Sequence, residues 1–136
     1  MPNPLFDRFF GKHAGKDTPF LHLPDGSILT HADFLKRAAQ IAHALASGGL
    51  EPGDRLAAQV HKSPMALALY AACVQAGIVF LPLNTAYTVD ELRYFIENSR
   101  AKTVVCDASS KALLAPVAAQ LGARIETLNA DESGSL

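Results

Sequence analysis

Apolar and polar positions along the chain change period several times, and each change marks an element. Phe20-Leu21-His22-Leu23 and Ser27-Ile28-Leu29-Thr30 are short runs of strand type separated by Pro24-Asp25-Gly26. Proline presets one turn dihedral and glycine accepts a positive φ, so the pair predicts a β-hairpin. From Thr30 the period lengthens. Phe34, Ala38, Ile41, Ala42 and Leu45 recur at three- and four-residue spacing and predict a helix with one apolar stripe. Thr30-His31-Ala32-Asp33 has the form of a capping box at its start, and Gly48-Gly49 supplies a left-handed residue at its end.

Glu51-Pro52-Gly53-Asp54 predicts a turn into a strand over Arg55 to Val60, whose Ala-rich centre leaves the assignment to its flanks. Ser63-Pro64 then opens a helix over Met65 to Ala76. That helix is apolar on nearly every side, which demands cover on more than one face. The stretch Met65 to Leu83 has only Gln75 as a strongly polar residue and approaches the roughly 20 residues of a membrane-spanning helix. Its first half is rich in Ala, Leu and Met, whereas Ile78 to Leu81 is β-branched and aromatic, with Gly77 between them. A buried helix feeding a buried strand accounts for this punctuation.

Thr88-Val89-Asp90-Glu91 forms a second capping box before a helix with Leu92, Phe95 and Ile96 on one face and Asn98 at its end. Lys102 to Cys106 reads as a strand. Asp107 is placed to cap a helix over Ser109 to Leu121, with Pro116 as an internal disruption and Gly122 as its stop. Arg124 to Leu128 is a last strand. Residues 1–128 thus read as one folded unit and 129–136 as a loose polar tail. Strands alternating with helices across short connections predict βαβ units. The expected fold is α/β, a mostly parallel sheet with flanking helices and an N-terminal β-hairpin.

Composition narrows the function. With 49% hydrophobic and 18% charged residues among 136, the chain is expected to be soluble and to form one core. Twelve basic residues against 13 acidic leave a formal net charge of -1 without a run of either sign, so neither a nucleic-acid partner nor a membrane partner is expected. Cys73 and Cys106 lie far apart in apolar surroundings and read as buried free thiols in a reducing compartment. Met1 to Phe10 lacks the basic-then-apolar order of a secretory leader, which points to the cytoplasm or to an organelle lumen that keeps thiols reduced. A thiol enzyme built on Cys106 is the weakest reading, because no histidine is paired with it.

No GxGxxG or GxxxxGK[ST] loop occurs, and His13, His22, His31, His43 and His61 are scattered without a metal-binding spacing. Two groups lie at strand ends, where open α/β sheets place ligands: His61, Lys62 and Ser63 after one strand, and Asn84, Thr85 and Tyr87 after the next. They are candidates for the wall of a pocket, with turn formation and helix capping as the plainer role of each. No catalytic, cofactor-binding or metal-ligating residue is assigned.

Three stretches in order, Ser27 to Phe34, Leu50 to Ala57 and Ala71 to Asn84, resemble the amino-terminal region of the adenylate-forming acyl-CoA synthetases, the AMP-binding enzymes. Asn3-Pro4-Leu5-Phe6, Leu81 to Thr88 (LPLNTAYT), Glu91 to Ile96 and Val104-Val105-Cys106-Asp107 resemble the malonyl-CoA synthetases within that family, whereas Asn98-Ser99-Arg100-Ala101 departs from the acidic, proline-containing segment expected there. The resemblance implies a partial N-terminal domain of the acyl-CoA synthetase fold. It also implies a two-step reaction in a parent enzyme. A small carboxylate attacks the α-phosphate of ATP with Mg²⁺, giving acyl-adenylate and diphosphate, and the thiol of CoA then displaces AMP. The phosphate loop, the adenine- and ribose-binding residues, the acidic metal ligand and the mobile lysine of this chemistry are expected beyond Leu136. On that reading the chain is a fragment, inactive alone. Its partner would be the remainder of the synthetase, and its exposed apolar surface would self-associate. The competing expectation is a complete small α/β module that recruits another protein.

Overall fold

A computed structural model describes residues 2–136. The chain opens with α1 (Pro4–Phe9) and a 3-10 turn, Gly11–His13, then forms a hairpin of β1 (Pro19–His22) and β2 (Ile28–Thr30). Next come α2 (His31–Ser47), β3 (Arg55–Gln59), α3 (Pro64–Ala76), β4 (Val79–Pro82) and α4 (Val89–Ser99). The order finishes with β5 (Thr103–Cys106), a 3-10 turn Ala108–Ser110, α5 (Lys111–Gln120) and β6 (Arg124–Thr127). The hairpin is antiparallel, whereas β3 to β6 form a parallel sheet in the spatial order β4-β3-β5-β6.

Strand order decides where the helices go. The chain steps from β3 to β4 in one direction and then crosses back to place β5 on the other side of β3. Parallel crossovers are right-handed, so reversing the direction of strand addition moves the connecting helix to the opposite face. Accordingly α2 and α3 pack on Leu56, Ala58 and Val105. The other face, Ala57, Val104 and Cys106, is covered by Leu92 and Ile96 of α4 and by Leu114, Val117 and Ala118 of α5. This explains the weak strand signal of β3. It is central, and Leu56, Ala57 and Ala58 are buried on alternate faces where small side chains let both helical layers approach.

The stripe Phe34, Ala38, Ile41, Ala42 and Leu45 is the buried face of α2. At Thr30 only half of the expected capping box forms: its hydroxyl accepts from Asp33 N at 3.1 Å. Two other donors of that turn, His31 N and Ala32 N, go instead to Thr18 O and Lys16 O. At α4, where the fourth residue is a longer Glu, both halves form: Thr88 Oγ1 accepts from Glu91 N and Glu91 Oε2 accepts from Thr88 N. That helix ends one residue after Asn98, on Arg100 in the left-handed region at φ 54°.

Several expectations need correction. Asp107 does not cap a helix; a 3-10 turn follows it and α5 begins only at Lys111, with Pro116 inside. The tail is not loose. Asn129 N donates to Ser133 O, Leu136 N donates to Thr127 O, and the Ser135 hydroxyl accepts from Thr127 N, so residues 129–136 fold back along β6. The first 18 residues, left without elements by their pattern, carry α1. Its N-cap Asn3 accepts from Phe6 N with Oδ1 and donates from Nδ2 to Val74 O at 2.8 Å, tying the start of α1 to the end of α3. Phe10 adds ring contacts with Phe34 and Tyr70, at 6.1 Å and 6.4 Å.

No helix among the described residues is long and apolar enough to cross a membrane. The Met65–Leu83 stretch divides as its punctuation predicts, into α3, Gly77 at φ 73° and β4. Cover for α3 is uneven: Leu69 is fully buried, but Leu67 and Tyr70 are each 36% exposed.

Candidate functional site

The four parallel strands end on the same side of the molecule, and the loops after them bring polar side chains from separate elements together at the carboxyl edge of the sheet. Because β4 and β5 leave from opposite sides of β3, the switch in strand order lies between the carboxyl ends of β3 and β5. His61 follows β3 and Asp107 follows β5, and across this crevice His61 Nδ1 meets Asp107 Oδ2. The Asp107 side chain is only 13% exposed whereas that of His61 is 70% exposed. The carboxylate therefore orients the ring from below and leaves Nε2 facing solvent.

The remaining sequence candidates take separate roles. Ser63 is the N-cap of α3, its hydroxyl accepting from Ala66 N at 3.0 Å. Lys62 is exposed between His61 and that cap and borders the groove beside α3 and β4. Asn84 holds the loop after β4: its Oδ1 accepts from Ala86 N at 2.9 Å and its carbonyl accepts from Nε2 of the buried Gln59 at 3.0 Å. Thr85 is exposed. Tyr87 turns away from the sheet edge and stacks on Phe95 of α4, with ring centroids 5.1 Å apart. Of the six, His61 alone is drawn into a side-chain pair across the crevice. Its partner was missed because the pair spans 46 residues and Asp107 had a sufficient local explanation as a cap.

Cys106 is no nucleophile. It is fully buried, and burial first, with the adjacent Asp107 carboxylate second, pushes its thiol up to about 11. Cys73 is pushed up to about 12 by burial alone. Among the described residues no three His, Cys, Asp or Glu side chains come together to hold a metal ion. At the carboxyl edge, two of the groups placed to meet a nucleoside triphosphate with Mg²⁺ already have other partners. Asp107, the carboxylate of the crevice, is already engaged by His61, and at the start of α3 Pro64 has no N–H while the Ala66 N–H is taken by Ser63. What the edge offers is a rigid platform with two short polar loops.

Comparison with known proteins places this platform. The family model of the AMP-binding enzymes matches residues 7–134. Apo MatB from Rhodopseudomonas palustris is 45% identical with a TM-score of 0.91 over 99% of this chain, which spans 27% of that protein. The ATP-bound form of the same enzyme gives a TM-score of 0.92 at the same identity and coverage. Feruloyl-CoA synthase from an Amycolatopsis species is 39% identical over 80 residues, covering 59% of this chain and 16% of that enzyme. An acyl-CoA synthetase from Brucella canis shares the fold, with a TM-score of 0.81 at 23% identity over 94% of this chain and 24% of its own. The chain therefore spans about a sixth of the first curated relative and about a quarter of the solved ones.

Proposed function

The chain belongs to the AMP-binding enzymes, the adenylate-forming acyl-CoA synthetases, and from that premise we propose that it is the amino-terminal part of a ligase joining malonate to CoA. The observation that carries this reading is the 45% identity to MatB, a malonyl-CoA synthetase, across 99% of the chain. In the proposed reaction a malonate oxygen bonds to the α-phosphorus of ATP as the bond to diphosphate breaks. The sulfur of CoA then bonds to the acyl carbon, AMP leaves with the bridging oxygen, and the thiol proton passes to solvent. ATP and Mg²⁺ would be held by parts of the ligase other than the residues described here.

This chain's own contribution is structural. Its sheet sets the carboxyl-edge loops, the Asp107–His61 pair fixes the two loops at the switch point, and Gln59 fixes the loop of Asn84. Catalysis of adenylate formation requires donors aimed at the transferring phosphoryl group, so the 136 residues alone are expected to be inactive. The test is AMP formation by the product of the whole gene that contains this sequence, assayed with malonate, acetate and ferulate, beside the 136-residue chain. Malonate preferred at least about tenfold in kcat/KM, about 1.4 kcal/mol of discrimination, is the expected result. Preference for ferulate would overturn the substrate assignment, and malonate-dependent diphosphate release by the 136-residue chain would overturn its inactivity.

A further inference from the structure

The outer face of α3 and the free edge of β4 form a single apolar surface with no cover among the described residues. Two hollows, of about 370 Å³ and about 560 Å³, meet at Tyr70 and Phe80, whose rings pack edge to face at 5.5 Å. Val60, Ala66, Leu67 and Pro82 line the first, while Leu5 and Ile78 lie in the second. Leu67 and Tyr70 are each 36% exposed and Leu5 48%. At its carboxyl end the surface meets Lys62, which makes no ion pair among the described residues.

We propose that this surface is an interface, and that its occupant is the remaining polypeptide of an adenylate-forming ligase of this family. The proposal rests on the reading above that the chain is part of such a ligase. One observation shows that surface is left uncovered, and a second selects the occupant. The accessible surface is 7774 Å² for a 14.5 kDa chain, against about 6,900 Å² for a self-contained monomer of that mass. The excess, about 900 Å², is close to the roughly 800 Å² that one partner contributes to a stable interface. The solved relative with which 99% of this chain aligns is also far longer, this chain spanning 27% of it.

The edge further determines the form of the contact. Val79 N and Leu83 N donate inward to Asp54 O and Ala58 O. Strand alternation then turns the N–H of Phe80 outward and puts Pro82, which has none, at the next outward position. A strand added here would find one donor across the whole of β4, so the partner docks by packing apolar side chains into the hollows, not by extending the sheet.

The experiment co-expresses the 136-residue chain with tagged R. palustris MatB lacking its own corresponding segment, and the excised MatB segment serves as the positive control. The expected result is a one-to-one complex that Leu67→Asp weakens at least about tenfold, a factor typical of a buried interface position. Tyr94→Asp, at a residue 61% exposed on the opposite face, leaves it intact. A second readout guards against misfolding of the aspartate variant. Both native thiols are buried, so Leu67→Cys supplies a single reactive thiol whose maleimide labelling slows at least about tenfold in the complex. Three results overturn the proposal: no complex where the control forms one, a complex indifferent to both changes at position 67, or the chain pairing with itself through Leu67 in preference to the MatB polypeptide. A complex that forms through Leu67 but makes no malonyl-CoA leaves the interface standing and counts against the functional reading alone.

Discussion

Asn3 joins two helix ends, and replacing it separates their contributions. Its Oδ1 accepts from Phe6 N at 3.1 Å, capping α1, and its Nδ2 donates to Val74 O at 2.8 Å and to Gln75 O at 3.3 Å, where α3 runs out of internal donors. Loss of an N-cap costs about 1 kcal/mol, and loss of a well-formed, partly buried hydrogen bond costs about 1 kcal/mol more. The Gln75 bond is long and exposed and adds little. Val74 O keeps a second donor, Gly77 N at 3.3 Å, so Asn3→Ala leaves no orphaned carbonyl there. The expected destabilisation is therefore about 2 kcal/mol, or about 7 °C in Tm for a domain of this length. Asn3→Asp keeps the acceptor and places a negative charge at the start of α1, which is favourable. It loses both donors and sets that charge against the carbonyl end of α3. It should cost about half as much as alanine, and only the tie to α3. Far-UV circular dichroism melts give the two Tm values, and hydrogen exchange at Phe6 to Phe10 shows whether α1 detaches before the rest. An alanine variant melting within about 1 °C of the parent would refute this accounting, as would an aspartate variant no more stable than the alanine one.

Gly134 sits at φ 136° with Thr127 O only 2.2 Å from where a Cβ would be. Gly134→Ala should release the tail, speeding cleavage after Glu132 by an acidic-specific protease at least about tenfold, at a local cost of about 1–3 kcal/mol; unchanged cleavage would count against a folded tail. Cys73 and Cys106, pushed up to about 12 and about 11, should both resist a thiol reagent at pH 8 and react only in denaturant, and prompt labelling of either in the native protein would contradict their burial. Lys102 Nζ lies 2.8 Å from Asp54 Oδ1, and that hydrogen bond is the first cause both of the depressed Asp54 carboxyl and of the raised Lys102 ammonium. The Asp54 contribution to stability is present above its unfolded value of about 3.9 and is lost as pH falls through its lower folded value. The Lys102 contribution is present below about 10.4 and is lost as pH rises through its higher folded value. Lys102→Met should flatten both limbs of the stability–pH curve and leave a weaker acid limb from the remaining Glu51 N–H bond to Asp54; curves parallel to the parent at both extremes would refute the assignment.

Local order along the chain was legible because it is set within a few residues. The stripe from Phe34 to Leu45 needs only the helical period, Thr88 and Glu91 cap one another three positions apart, and Gly77 with the change from Ala-rich to β-branched residues divides α3 from β4. The short stretches that resemble the acyl-CoA synthetases were readable for the same reason. What the tertiary structure alone decided involves pairs far apart in the chain. Nothing local states that β3 lies between β4 and β5, since that order follows from which face each crossover helix finds to cover. The crevice between β3 and β5 and the meeting of His61 with Asp107 depend on it. Asn3 reaches Val74 across 71 residues, and before the fold exists its side chain is a helix cap and nothing more. The apolarity of α3 was plain in the sequence, but which residues stay uncovered was not. Burial of Leu69 and exposure of Leu67 and Tyr70 depend on where α2 and the sheet lie against that helix, and a 3.6-residue period carries no record of a neighbour's position.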